Sequence, residues 1–239
     1  MFSPGEFFDT HSERYSYANP LKHDVFFVDF MKKNGSGHSL LDIGGGGGAF
    51  AKYCKSIFPD ADICVVDPSK ELLQKQNAHG IKRVVGSLPD DINVASAYHY
   101  IAMKVVLHHV VGTSIRESKD LVKKSILAAK SKLDDGGYVF IREIYYESYL
   151  IPTFTRTIIF YLLRLQNRLK LKIPHDDFIS GLEVCFYTRD EIESMIRECN
   201  LEIVESLHDE YDPGAGGRVM LLKRRGTASY ILRPRAIPS

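Results

Sequence analysis

The sequence predicts an α/β fold, one seven-stranded sheet with helices on both faces. Between residues 40 and 144, short apolar runs alternate with stretches of helical period. That pattern gives a parallel sheet covered on both sides. Five consecutive glycines, Gly44 to Gly48, follow the first apolar run and open a helical one. The last two apolar runs have a Gly- and Pro-containing loop between them and no helix, so they pair antiparallel. A chain of 239 residues, 44% hydrophobic and 26% charged, is long enough for one domain with a sizeable core, and its composition excludes wholesale disorder.

The elements follow in order. His23 to Lys33 has helical period, with Val25, Phe26 and Phe30 on one face and Asn34-Gly35 as a stop. Leu40 to Ile43 is a short buried strand. Gly47 to Phe58 reads as a helix striped by Phe50, Tyr53, Cys54 and Ile57 and ended by Pro59. Ile63 to Asp67 is the second strand, and Ser69 caps a helix through Gln76. Arg83 to Val85 and His99 to Val106 are the third and fourth strands. The helix Glu117 to Leu133 buries Val122, Ile126, Ala129 and Leu133, and Asp134 to Gly137 turns the chain into a fifth strand, Tyr138 to Ile144. Thr188, with Glu191 three residues on, forms a capping box for a helix ending near Asn200. Leu201 to Leu207 is a sixth strand and Arg218 to Lys223 the antiparallel seventh. The domain thus spans residues 1–225, and residues 226–239, without acids or periodicity, read as a loose tail.

The glycine run carries the chemistry. It removes every Cβ from a strand-to-helix turn, so a ligand can approach the backbone and the helix N-terminal amides. Asp67 ends the next strand, where a carboxylate can accept hydrogen bonds from both ribose hydroxyls. Gly44-x-Gly46-x-x-Ala49 formally fits a dinucleotide fingerprint. Asp42 precedes the first glycine by two, however, and a buried carboxylate there repels a pyrophosphate. It suits a ligand that carries an ammonium and a sulfonium.

Asp42-x-Gly44-x-Gly46-x-Gly48 resembles the glycine motif of class I S-adenosylmethionine-dependent methyltransferases, whose Rossmann-like fold has the same strand pattern. The resemblance extends over roughly residues 7–224. It implies S-adenosyl-L-methionine as cofactor, with Gly44, Gly46 and Gly48 on its methionine part, Asp42 orienting that part, and Asp67-Pro68 at the ribose. Gly86-Ser87-Leu88 takes the adenine position, with Ser87 where many relatives have Asp. Phe7-Phe8-Asp9 and Tyr15 resemble the N-terminal segment, here residues 1–37, that closes over the cofactor in small-molecule methyltransferases.

Methyl transfer to a hydroxyl requires alignment of the acceptor and removal of its proton. Met103-Lys104-Val105-Val106-Leu107-His108 resembles the M-K-x-x-x-H stretch of small-molecule O-methyltransferases. There the His is the general base and the Lys lies beside the cofactor. His108 matches the base and Lys104 the lysine, with His109 as the neighbouring alternative; Glu143 matches the acid that orients the base. The alternatives for these residues are packing, capping and a salt bridge with Arg142.

Other classes recede. Lys+Arg 31 against Asp+Glu 30 leaves a formal charge of +1, which argues against a dedicated nucleic-acid binder. No Asn/Asp-Pro-Pro-aromatic loop follows the fourth strand, and no Cys lies there. His175, Asp176 and Asp177 join the His and Glu residues above without metal-ligand spacing, so no metal is expected. The four scattered cysteines and an N-terminus unlike a signal peptide read as cytoplasmic. Leu150 to Ile173 repeats Ile151, Phe154, Ile158, Leu162, Leu165 and Leu169 at helical spacing, beside five cations and no acid. In a cap insertion of about residues 145–187, its apolar stripe is expected to cover the acceptor pocket. A peripheral membrane contact through 150–173 and a homodimer seam are the alternatives, the chain being a monomer or homodimer. The reading is methylation of a small-molecule acceptor at oxygen. The rivals are a protein or peptide side chain as acceptor, and a nonenzymatic S-adenosylmethionine-binding subunit.

Overall fold

The computed structural model describes residues 20–34, 39–75, 79–95, 97–169, 183–219 and 221–235. The elements are α1 (Lys22–Asn34), β1 (Ser39–Ile43), α2 (Ala49–Ile57), β2 (Asp62–Asp67), α3 (Lys70–Gln74), β3 (Ile81–Val85) and β4 (Tyr98–Lys104). A 3₁₀ turn (Leu107–His109) leads to α4 (Ile115–Lys130), β5 (Leu133–Ser148), α5 (Phe154–Leu169), α6 (Arg189–Glu198), β6 (Leu201–Tyr211), α7 (Gly214–Val219) and β7 (Leu222–Pro234).

The seven strands form one sheet in the order β3-β2-β1-β4-β5-β7-β6. β1 to β5 are parallel, and β7 runs antiparallel between β5 and β6. Side chains alternate between two cores. Leu41, Ile43, Ile101 and Ile141 pack with Val122 and Ile126 of α4 and Ile192 and Ile196 of α6. Leu40, Val65, Tyr100 and Phe140 pack with Phe27 and Val28 of α1 and Phe50 and Ala51 of α2. The strand order reverses between β1 and β4, and in open α/β sheets ligands bind beyond the carboxyl ends at that point. Asp42, Gly44 and Lys104 all lie there.

Four expectations are corrected. Residues 226–234 are not a tail. They belong to β7, which pairs Val139 with Leu232 and Glu143 with Ala228, and Thr227 to Leu232 are all buried. A strand buried on both faces has no polar alternation for the sequence pattern to show. The domain therefore runs past residue 225, and the strand placed at Arg218 to Lys223 is displaced by α7. On α1 the buried face is His23, Asp24, Phe27, Val28, Phe30 and Met31, whereas Val25 points outward. The turn expected at Asp134 to Gly137 lies within β5, where its register to β4 shifts between Tyr98 and Tyr100.

The fourth correction is α5. The buried side chains are Thr155, Arg156, Phe160, Leu163 and Gln166, not the apolar stripe, which faces outward. Polar contacts select that face. Thr155 donates its backbone N–H to Ser148 Oγ at 2.8 Å, and Arg156 is ion-paired with Glu191, which also holds Lys119 at 2.7 Å. Arg164 Nη1 donates to the Gly112 carbonyl at 2.9 Å. The helix thus sits beside the loop after β4, as an insertion after β5 should, but rotated. Residues 1–19 and 170–182, including Phe7-Phe8-Asp9, Tyr15, His175, Asp176 and Asp177, lie outside the described residues.

Candidate active site

The turn after β1 is held by two backbone hydrogen bonds. Gly44 N–H donates to the Val66 carbonyl at 2.7 Å, and Gly48 N–H to the Gly45 carbonyl at 2.8 Å. Gly44 has φ +69°, and a Cβ there would lie 2.3 Å from Val106 Cγ1, so no side chain fits. Gly46 has φ +53°, yet a Cβ there would meet nothing closer than 3.6 Å. Its missing side chain leaves open space rather than relieving a clash. Gly48, left-handed at φ 69°, caps α2 without a side-chain bond.

Two carboxylates flank this turn in different ways. Asp67 is buried at the end of β2, and its Oδ2 accepts from Gly46 N–H and its Oδ1 from Ser69 N–H, both at 2.8 Å. These bonds fix the carboxylate against the glycine turn and the α3 cap. Pro68 is half-buried between Asp67 and the α3 cap, where Ser69 Oγ accepts from Leu72 N–H at 3.1 Å. Asp42 is 1% exposed, and neither of its oxygens has a hydrogen-bond partner. Burial pushes its carboxyl up to about 6, and Asp24 and Asp67 add to the rise while Lys104 opposes it. A buried, unbonded carboxyl group is costly unless a ligand answers it.

Lys104, at the end of β4, points back toward α1. Its Nζ donates to Asp24 Oδ1 at 2.8 Å and lies 3.8 Å over the Phe50 ring. Asp24 and Phe50 thus hold the lysine beside the glycine turn. The partner that fixes Lys104, Asp24, was not legible in the sequence: it lies 80 residues away and looks like an ordinary first-turn acid.

Beyond β3, Gly86 N–H donates to the Asp67 carbonyl at 3.2 Å. A Cβ on Gly86 would sit 2.1 Å from the Asp91 carbonyl oxygen, so this residue lets the chain fold back on itself. Ser87 bridges to Asp91 and is exposed, while Leu88 is half-buried against the core.

After β4 the chain bends at Val105, whose φ of 57° is rare for a β-branched residue. Val105 N–H donates to the Arg142 carbonyl at 2.7 Å, which ties the bend to β5. The 3₁₀ turn that follows puts His108 against Glu143. Nδ1 of His108 lies 2.6 Å from Glu143 Oε1. Glu143 Oε2 accepts from Leu107 N–H at 2.9 Å and His108 N–H at 3.3 Å, and Oε1 also accepts from Ile144 N–H at 2.9 Å. Glu143 is fully buried and His108 is 5% exposed. A carboxylate that accepts from three amides is fixed in place as an acceptor for an Nδ1–H of His108, which orients the ring and leaves Nε2 on its other side. Phe186 stacks on the His108 ring at 5.3 Å, a contact sequence reading missed. His109 lies 4.0 Å from the same ring. Burial, and then His108 itself, holds the His109 imidazole well below its ordinary value.

Apart from Ser87 and Leu88, the sequence-predicted residues that the structure describes fall into two groups. Asp42, Gly44, Gly46, Gly48, Asp67, Pro68 and Lys104 surround the turn after β1, and Gly86 joins it through Asp67. His108, His109 and Glu143 gather where the chain leaving β4 packs against β5, and Gly44 meets that side through Val106. S-adenosylmethionine fits the first group. Open space over Gly46, a fixed carboxylate at Asp67 and an unanswered carboxyl group at Asp42 could hold its methionine chain, ribose and cationic centres.

Known proteins share this fold. A family described as a methyltransferase domain matches residues 14–206. No curated protein matches the chain. Among solved structures, a SAM-dependent methyltransferase from Thiobacillus denitrificans, in complex with S-adenosyl-L-homocysteine, superposes with a TM-score of 0.57 at 14% identity, covering 98% of this chain and 100% of that one. One from Geobacter sulfurreducens, with the same ligand, gives 0.56 at 14% identity over 96% and 97% of the two chains. One from Clostridium acetobutylicum ATCC 824 gives 0.59 at 14% identity over 96% of each. This chain belongs to the methyltransferase-domain family and is a class I S-adenosylmethionine-dependent methyltransferase.

Proposed function

We propose that the enzyme methylates a hydroxyl oxygen of a small molecule, with His108 as general base and Glu143 as its positioning residue. The observation that carries this reading is the buried His108–Glu143 pair at 2.6 Å, next to the turn that holds the cofactor. The cofactor supplies a methyl group already activated by its sulfonium. The chain's own part is to bind, align and deprotonate. Asp67 takes the ribose hydroxyls, and Asp42 takes the cationic methionine part. Lys104, held by Asp24 and Phe50, keeps positive charge beside Asp42. Glu143 accepts the Nδ1 proton of His108, so Nε2 faces the acceptor as a proton acceptor. The acceptor hydroxyl loses its proton to Nε2 as its oxygen takes the methyl group, and Glu143 stabilises the resulting imidazolium. His109, whose imidazole stays neutral, shapes the wall beside that ring.

The four cysteines are free and buried, which supports a reducing, cytoplasmic setting. The test is uptake of isotope-labelled methyl from S-adenosylmethionine into metabolite extracts, followed by the carbon shift of the labelled methyl. A methoxy carbon is expected. An N-methyl, C-methyl or peptide-bound product contradicts the reading.

A further inference from the structure

We propose that the outer face of α5 docks on the surface of an anionic lipid bilayer. The helix has its polarity inside out. The inward face carries Thr155, Arg156 and Gln166 beside Phe160 and Leu163, whereas Phe154, Tyr161, Leu162, Leu165 and Leu169 point outward, with Ile158 half-buried between them. The turn before it adds Tyr149, Leu150 and Ile151, and the outward residues named here other than Ile158 are 41% to 88% exposed. A continuous apolar strip of this kind on a single chain marks a surface that meets something else.

Its charge says what that is. From residue 148 to residue 175 the sequence has five cations and no acid. Arg156 is answered by Glu191, and Arg164 by Glu183 at 3.6 Å. Arg168, exposed at the edge of the apolar strip, has no ion-pair partner among the described residues. A second copy of this chain is a poor occupant. Pairing the strip with itself sets the exposed Arg168 of each copy against a segment that holds no acid to answer it. Anionic headgroups do answer them, with leucines and tyrosines inserted at the headgroup boundary. The helix has 16 residues, about 24 Å long at about 1.5 Å per residue, and only one face is apolar. It therefore lies in the plane of the interface. Among the described residues no helix is long and apolar enough to cross a membrane.

The test is co-sedimentation of the full chain with vesicles of phosphatidylcholine alone and of phosphatidylcholine containing one quarter phosphatidylglycerol. Pelleting with the anionic vesicles, weakened by salt and absent with neutral ones, is expected. The double variant Leu162→Glu/Leu165→Glu should lower the partition coefficient by roughly tenfold or more. S-adenosylhomocysteine affinity and melting temperature should stay unchanged, because both side chains point outward. Three results overturn the proposal: no pelleting of the parent chain with anionic vesicles, equal pelleting of the double variant, or a dimer in sedimentation velocity that the double variant dissolves. No methyl transfer is measured, so the outcome is independent of the hydroxyl-acceptor reading.

Discussion

Asp42→Asn should make the ligand-free protein more stable at neutral pH while impairing cofactor binding. The reason is the unbonded, 1% exposed carboxyl group beside the glycine turn, raised by burial from 3.8 to about 6. The folded state holds this proton more tightly than the unfolded chain does. Between about pH 4 and pH 6 the folded state therefore binds more protons than the unfolded one, and stability falls as pH rises. Below 3.8 the penalty is absent, and above about 6 it is complete. Its size is about 3 kcal/mol, taking about 1.4 kcal/mol per tenfold change. Roughly half of that, about 1.4 kcal/mol, still accumulates between pH 5 and pH 8. The variant cannot ionise, so its melting temperature relative to the parent should rise across that interval, by about 2–4 °C per kcal/mol. Differential scanning calorimetry of both proteins at pH 5 and pH 8 reads this directly. A cationic ligand reverses the preference, so parent affinity for S-adenosylmethionine should weaken below about pH 6 and variant affinity should be low and flat. A melting difference that is constant or shrinks toward pH 8 would refute the reasoning.

Asp67→Ala removes a fixed carboxylate and should weaken S-adenosylhomocysteine binding by about 1–3 kcal/mol in calorimetry; unchanged affinity removes Asp67 from the ribose site. Gly44→Ala forces a Cβ to 2.3 Å from Val106 at φ +69°. It should cost about 1–3 kcal/mol of stability and cut cofactor affinity, whereas a parent-like melting curve contradicts the turn geometry. Glu143→Gln should lower kcat less than loss of His108 and shift the pH–rate profile, because it removes the partner that fixes the ring and not the proton acceptor. A profile identical to the parent's makes Glu143 a packing residue.

The glycine turn was legible because its constraints are local. Asp42 to Gly48 is one contiguous run, and Asp67 is placed by the end of the next strand. The His108–Glu143 pair was legible only through resemblance, since the two residues are 35 apart and nothing in their neighbourhoods links them. Asp24 and Phe186 were invisible for that reason. Each becomes meaningful only when α1 and the segment before α6 are folded onto the sheet. β7 was misplaced because it is buried on both faces and flanked by two strands, so it shows neither alternation nor polar edges. On α5, period revealed an apolar stripe but not its direction. The long-range Arg156–Glu191 pair and the local Thr155–Ser148 bond turned the opposite face inward.

The most direct test of the account is the kcat of His108→Ala on a hydroxyl acceptor identified by methyl labelling, with S-adenosylhomocysteine affinity measured alongside. The account predicts a loss of about 10²–10⁴ in kcat with affinity unchanged, because the ring lies on the acceptor side of the turn. A near-parental kcat would contradict it, and would mean that alignment alone, without a base, carries the transfer.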